Sequence, residues 1–414
     1  MEQENNLTPI GITNYRNTNQ KFGILDKDRF GHIYVVGKTG VGKSTLLKSM
    51  ALSDIKRGNG LCIIDPHGDI ATDILDYIPE GRIEDVVYFN PKDLANPIPF
   101  NPLKGIHPNY HHLVASGIIS AFKKVWSDSW GPRMEYILRF SLLTLLHYPD
   151  ATLLDIQPLL TDTGFRTQVL AYVLEEHIQR FWSAEFEKYN RTFQTEAISP
   201  ILNKIGVFAA SLPLRNTIGQ KCRGFRLQEV MDGKKILIVN LSKGELGEDT
   251  STLLGCILIT SIQLAALHRA RQDISQRVPF YLYIDEMHSF VTLSFADILA
   301  EARKYGLSLF LAHQYIDQLD ERIRTAIFGN VGTLIAFRVG ATDAQYLEQE
   351  FEPVFDKEDL INLPKYGIYI KLMIDGATSR PFSAQTVANN ILPESSRNSV
   401  LEASKRKYGR SRIS

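Results

Sequence analysis

Residues Gly37 to Ser44 read GKTGVGKS, and they satisfy the phosphate-loop pattern G-x-x-x-x-G-K-[ST] at every constrained position. Working outward, His32-Ile33-Tyr34-Val35-Val36 is a short apolar, β-branched run of buried-strand character. On the other side, Thr45 to Arg57 carries Leu46, Leu47, Met50 and Leu52 at helical spacing. Strand, glycine loop and helix in that order is the context in which the pattern becomes a site. Gly37, Gly40 and Gly42 let successive backbone N–H groups turn inward toward phosphate oxygens. The helix N-terminus adds partial positive charge. The span Gly37, Lys38, Thr39, Gly40, Val41, Gly42, Lys43, Ser44 and Thr45 is therefore the expected nucleotide cradle. In it Lys43 bridges the β- and γ-phosphates and the Ser44 hydroxyl ligates Mg²⁺.

Such a cradle needs a second acid at the carboxyl end of a neighbouring buried strand. Phe280-Tyr281-Leu282-Tyr283-Ile284-Asp285-Glu286 supplies it. Asp285 is the expected magnesium ligand, directly or through water, and Glu286 the general base for the attacking water. The next strand ends Leu311-Ala312-His313-Gln314, which puts an amide where it can contact both the γ-phosphate and the lytic water. Asn-Lys-x-Asp, the guanine-reading pattern, is absent, as are the ABC-transporter signature and the superfamily 2 helicase motifs. After the second strand, Leu61 to Asp65, either Asp69 or His67 could touch the nucleotide, although an Asx-type turn explains both. For an arginine reaching the phosphates from an adjoining subunit, an effect worth roughly 10³ to 10⁵ in rate, Arg303, Arg324, Arg338 and Arg380 are open candidates.

The rest of the chain sets the frame. Its 414 residues are enough for two domains, and 46 basic against 46 acidic residues remove any argument for a uniformly basic surface. Three scattered cysteines give neither a disulfide framework nor a zinc spacing, which points to a reducing cytosol. The first 28 residues form a polar leader with one expected edge strand near Phe22–Leu25, and no secretory signal is expected there. Strands are expected near 86–90, 235–241, 307–312 and 333–338 as well, with further apolar stretches at 366–373 and 380–383. From about Pro108 to about Lys221 the spacing is helical throughout, and an all-α insertion over 105–223 follows. Trp126, Trp130 and Trp182 are expected in its core rather than as a base-stacking stripe. Residues 29–104 and 224–390 then form the nucleotide-binding domain. The run Leu253 to Leu267 is too short for a bilayer, which needs about 20 residues, and reads as a core helix. From Pro393 on, with Lys405, Arg406, Lys407, Arg410 and Arg412, a basic disordered tail is expected over 391–414.

Taken together, GKTGVGKST, IDPHGD, YIDEMHSF, EARKYGLSLFLAHQY and FGNVGTLIAFRVG resemble the HerA–FtsK superfamily of RecA-like ATPases. Within it the chain is most similar to type IV secretion coupling proteins and conjugative DNA-transfer ATPases, over about Arg29 to Ala384. The resemblance implies an α/β RecA-like P-loop fold with a mostly parallel sheet flanked by helices, plus the inserted all-α domain. It implies ATP and Mg²⁺ as ligands, DNA as cargo and a homo-oligomeric, hexameric ring. It places the trans arginine on Arg303 and the strand-end glutamine on Gln314. Secretion-channel or relaxosome proteins follow as expected partners. Alternatives are a secretion or pilus-type ATPase moving protein and a cytosolic HerA-like translocase. Coupling proteins carry transmembrane helices before the phosphate loop, whereas about thirty polar residues stand there. A cytoplasmic location, or a peripheral one at the inner face of the membrane through partners, is therefore expected.

Overall fold

Short β-branched runs become buried strands here because each is covered on both faces, which parallel sheets require. The computed structural model describes residues 6–387 and 391–410. In chain order the strands are β1 (Leu7–Thr13), β2 (Lys21–Leu25), β3 (Ile33–Val36), β4 (Gly60–Asp65), β5 (Val86–Phe89), β6 (Ile236–Asn240) and β7 (Phe280–Ile284). They continue with β8 (Leu307–His313), β9 (Thr333–Ala336), β10 (Gly367–Lys371), the short hairpin β11 (Met373–Ile374) and β12 (Ala377–Thr378), and β13 (Phe382–Thr386). Apart from the hairpin they form one sheet in the order β2-β1-β13-β10-β9-β3-β8-β7-β4-β6-β5. From β9 to β5 every pairing is parallel, and β10, β13, β1 and β2 extend it antiparallel. The helix Lys43–Lys56 carries the chain back from β3 to β4 and buries Leu46, Leu47, Met50, Ala51 and Ile55 against the sheet.

The described residues divide into two compact units. One holds the sheet: residues up to Phe89, Leu227–Ser242 and Ala265–Ser404. The other comprises Asn90–Arg226, Lys243–Leu264 and the residues from Lys405 on. Between Pro108 and Thr217 only helical elements occur, and this second unit takes in more chain than the expected insertion of 105–223. Its aromatics largely make its core. Trp182 and Phe186 are fully buried, Trp182 Nε1 donates to Thr144 Oγ1 at 2.8 Å, and Phe140 stacks on Phe181 at 4.2 Å.

Three features depart from the sequence reading. The leader contains two strands rather than one, because β1 tolerates Pro9 by a register shift between Pro9 and Gly11, where a missing N–H costs no ladder bond. Gly11 is required there, since a Cβ would meet the Gln385 carbonyl oxygen at 2.3 Å. The tail is not a disordered terminus over its described part: Arg397–Tyr408 is a helix. It buries Val400, Ala403 and Ser404, Ser396 Oγ donates to the Leu75 carbonyl at 2.9 Å, and Arg397 pairs with Asp76 at 2.5 Å. A stripe of small and apolar residues thus outweighs the basic charge; Arg412 lies outside the described residues. Finally, the apolar helix is longer than its sequence run. Glu248–Arg271 is 24 residues and holds an 18-residue window of mean hydropathy 1.7, long and apolar enough to cross a bilayer, but most of that window is buried in protein.

Candidate nucleotide site

The site lies at the carboxyl edge of the parallel strands, where the chain leaves β3, β7 and β8 within a few ångströms of one another. Gly40 and Gly42 take φ of +76° and +127°, backbone that a side chain disfavours. A Cβ on Gly42 would also meet the Tyr366 ring at 2.7 Å. The buried Lys43 folds back so that Nζ donates to the carbonyls of Gly37 and Lys38 at 2.7 and 3.1 Å. Burial holds its pKa down, opposed by the carboxylates of Glu286 and Asp285. Lys38 N donates to the Arg338 carbonyl at 2.9 Å, which ties the loop to the end of β9.

Ser44 Oγ donates to Asp285 Oδ2 at 3.3 Å, across 241 residues of sequence. Asp285 is 2% exposed. Its carboxyl is pushed up to about 6, first by burial, then by the carboxylates of Glu286 and Asp65, with Lys43 and His67 pulling it back. Glu286, also buried, stands in left-handed backbone at φ 45° and ψ 54°, a strained placement for a β-carbon residue that turns its side chain across the cavity. Gln314 Nε2 donates to Glu286 Oε1 at 2.6 Å, and Thr39 Oγ1 donates to Gln314 Oε1 at 3.1 Å. One chain of contacts therefore runs from the phosphate loop through the amide to the acid. His288 Nδ1 lies 3.5 Å from Glu286 Oε2.

A cavity of about 300 Å³ is lined by Thr39, Gly40, Gly42, Lys43, Ser44, Thr45, Asp285, Glu286 and Gln314, together with His67, Lys365 and Tyr366. Gly37, Lys38 and Val41 are not in that lining, and Val41 is buried behind the loop. The acid that makes the Asx turn after β4 is Asp65, which accepts from His67 N and Ala71 N at 2.8 and 3.0 Å. It leaves His67 at the cavity and Asp69 outside it. Lys365 and Tyr366 were not legible in sequence, since they come from the connection before β10 and follow no spaced pattern. Arg303 is not brought to the cavity. It sits exposed in the turn before β8, at the amino edge of the sheet, where its charge acts on His32. That edge is opposite the phosphate loop of its own chain.

Among the described residues no three His, Cys, Asp or Glu side chains are grouped to hold a metal. A hydroxyl and one buried carboxylate, both hard oxygen donors, instead suit Mg²⁺, which takes one or two protein ligands and completes its shell with waters and phosphate oxygens. The raised Asp285 carboxyl, crowded by two further acids, marks a place where a cation fits.

A glycine loop after β3, with an acid pair at the end of β7 and one strand between them, defines the RecA-like class of P-loop proteins. The chain belongs to the type IV secretion-system coupling protein DNA-binding domain family, which matches residues 23–351. It is 23% identical over 366 residues to the type 4 coupling protein DotL of Legionella pneumophila, covering 73% of this chain and 46% of that protein. The chain thus spans about half the length of that curated relative. The solved plasmid coupling protein TrwB in complex with ADP and Mg²⁺ superposes with a TM-score of 0.66 at 15% identity, over 91% of this chain and 90% of that one. VirB4 of Thermoanaerobacter pseudethanolicus superposes with a TM-score of 0.58 at 14% identity, over 92% and 96%. At these identities the likeness is one of fold.

Proposed function

We propose that the chain is an ATP-hydrolysing DNA translocase of the conjugative, type IV secretion coupling kind, working as a ring oligomer with ATP at subunit interfaces. One observation carries this reading: Ser44, Asp285, Glu286 and Gln314 converge on the phosphate loop at one sheet edge. Ser44 and Asp285 would hold Mg²⁺, which when bound neutralises charge on the β- and γ-phosphates. The loop N–H groups and Lys43, released from its two carbonyls, bind the triphosphate. Glu286 orients the lytic water and takes its proton. Gln314, already on Glu286, senses the terminal phosphate. Arg303 is assigned to the phosphates of the adjoining subunit, in keeping with its exposure at the opposite edge.

Family membership supports DNA as the cargo, and solved relatives described as TrwB with ADP and Mg²⁺ and with ATP and GTP analogues support a nucleotide triphosphate as ligand. Association with a membrane secretion apparatus, through channel or relaxosome proteins, belongs to the same proposal. The test is ATP turnover per subunit over a range of protein concentrations, with and without DNA. The rate should climb with both, vanish in Lys43→Ala, and in Glu286→Gln fall roughly 10²- to 10⁴-fold while ATP stays bound. Turnover indifferent to DNA would favour a protein cargo, and turnover surviving both substitutions would contradict the site.

A further inference from the structure

The groups that handle the metal, the terminal phosphate and the water come from β7 and β8, both on one side of β3. A triphosphate laid on the loop with its terminal phosphate toward those strands directs its nucleoside to the other side, toward β9 and β10. Among the described residues of the cavity wall, Tyr366 and Lys365 alone come from that side. Tyr366 is held there at some cost. Its φ of +66° is an outlier for a bulky aromatic residue. Its N–H donates to the Val41 carbonyl of the phosphate loop at 2.9 Å, and its carbonyl accepts from Thr386 N at 2.9 Å. The ring consequently sits against Gly42 while remaining partly exposed to the cavity, and Lys365 Nζ lies 5.0 Å from its centroid. Strained backbone that over-determines one side chain at a ligand cavity is a mark of a functional position.

We infer that Tyr366 is the stacking platform for the base of the bound nucleotide, and that it accepts adenine and guanine alike. This rests on the nucleotide-site reading above and adds a subsite to it. A π-face attracts every base, whereas telling one base from another needs hydrogen-bonding groups at the base edge. The remaining polar lining groups lie on the loop itself or on the β4, β7 and β8 side, so beside the Tyr366 ring the wall offers one flexible ammonium donor, Lys365, and no side-chain acceptor set against it to read a base edge.

The test compares equilibrium binding of ATP, GTP and inorganic tripolyphosphate, each with Mg²⁺, by calorimetry. Tyr366→Ala should weaken ATP and GTP together by roughly ten- to a hundredfold while leaving tripolyphosphate within about twofold. Tyr366→Phe and Tyr366→Trp should stay close to the unsubstituted protein. Tyr366→Asn, which tolerates positive φ, should repeat the loss and guards against misfolding of the alanine variant. Unchanged ATP binding in Tyr366→Ala and Tyr366→Asn would overturn the subsite, and so would a parallel loss of tripolyphosphate, because the ring would then merely brace the loop. Lys43→Ala separates the two claims, since it should abolish binding of all three. Failure of the unsubstituted protein to bind any of them would remove the nucleotide site and the subsite together.

Discussion

His32 shows how one side chain links the fold to pH. It is 1% exposed, takes φ of +61° just before β3, and its Nδ1 accepts from Leu309 N at 3.3 Å, a bond only the unprotonated nitrogen can make. Burial, with Arg303 adding to it and a hydrogen bond to the Leu299 backbone opposing, pushes its pKa from 6.5 down to about 4. A histidine with a lowered folded-state pKa contributes stability that is complete above 6.5 and lost as pH falls toward 4, because the unfolded chain takes up the proton first. Over that interval the loss should reach roughly 3 kcal/mol. Urea unfolding at a series of pH values should show that slope, and His32→Asn, which accepts the left-handed backbone, should flatten it. Identical slopes would refute the assignment. At this scale the sequence was most informative where chemistry is tied to spacing: Lys43, Ser44 and Asp285 could be named from their motifs. It was silent on Tyr366 and read His32 as part of the strand rather than as its left-handed entrance, because both positions depend on backbone angles and on neighbours hundreds of residues away.

At the scale of elements, the helix that begins at the phosphate loop is anchored at its far end by buried charge. Arg29, 1% exposed, makes paired bonds of 2.7 and 2.8 Å to Asp54, which is fully buried, and also reaches Thr8 of β1 and Tyr283 of β7. Its guanidinium lies 3.7 Å from the centroid of Tyr281. The loop helix, the strand carrying the acid pair and the first strand thus share one cation. Removing one partner leaves the other buried and uncompensated, a cost of about 3–5 kcal/mol. Asp54→Asn should lose that much in equilibrium unfolding. Asp26→Asn, at the rim of the same cluster with Arg57 at 2.9 Å and Arg29 at 3.6 Å, should lose only about 1 kcal/mol, since its carboxylate is partly solvated. Equal losses would mean that the network is not the anchor. Strands and helices with clear periodicity were legible in the residues, since burial on both faces leaves a continuous apolar run. What escaped was β1, disguised by Pro9 and Gly11, and the helix Arg397–Tyr408, whose stripe of Val400, Ala403 and Ser404 is masked by lysine and arginine.

In the whole molecule the sheet separates two edges. The carboxyl edge holds the loop, the acid pair and Gln314, and the amino edge holds Arg303. On the ring reading, each interface combines the first edge of one subunit with the second edge of its neighbour. Mixing Arg303→Ala with Lys43→Ala subunits should therefore restore part of the ATPase activity that each lacks alone, since some interfaces would pair an intact loop with an intact arginine. Activity no greater than the sum of the two would place the finger elsewhere. All of this presumes that the loop and the acid pair clamp a metal-bound triphosphate. The direct measurement is the affinity for ATP with and without Mg²⁺ in the unsubstituted protein, in Ser44→Ala and in Asp285→Asn. The metal should tighten binding in the first and do so much less in both variants; an undiminished magnesium effect in both would contradict the site.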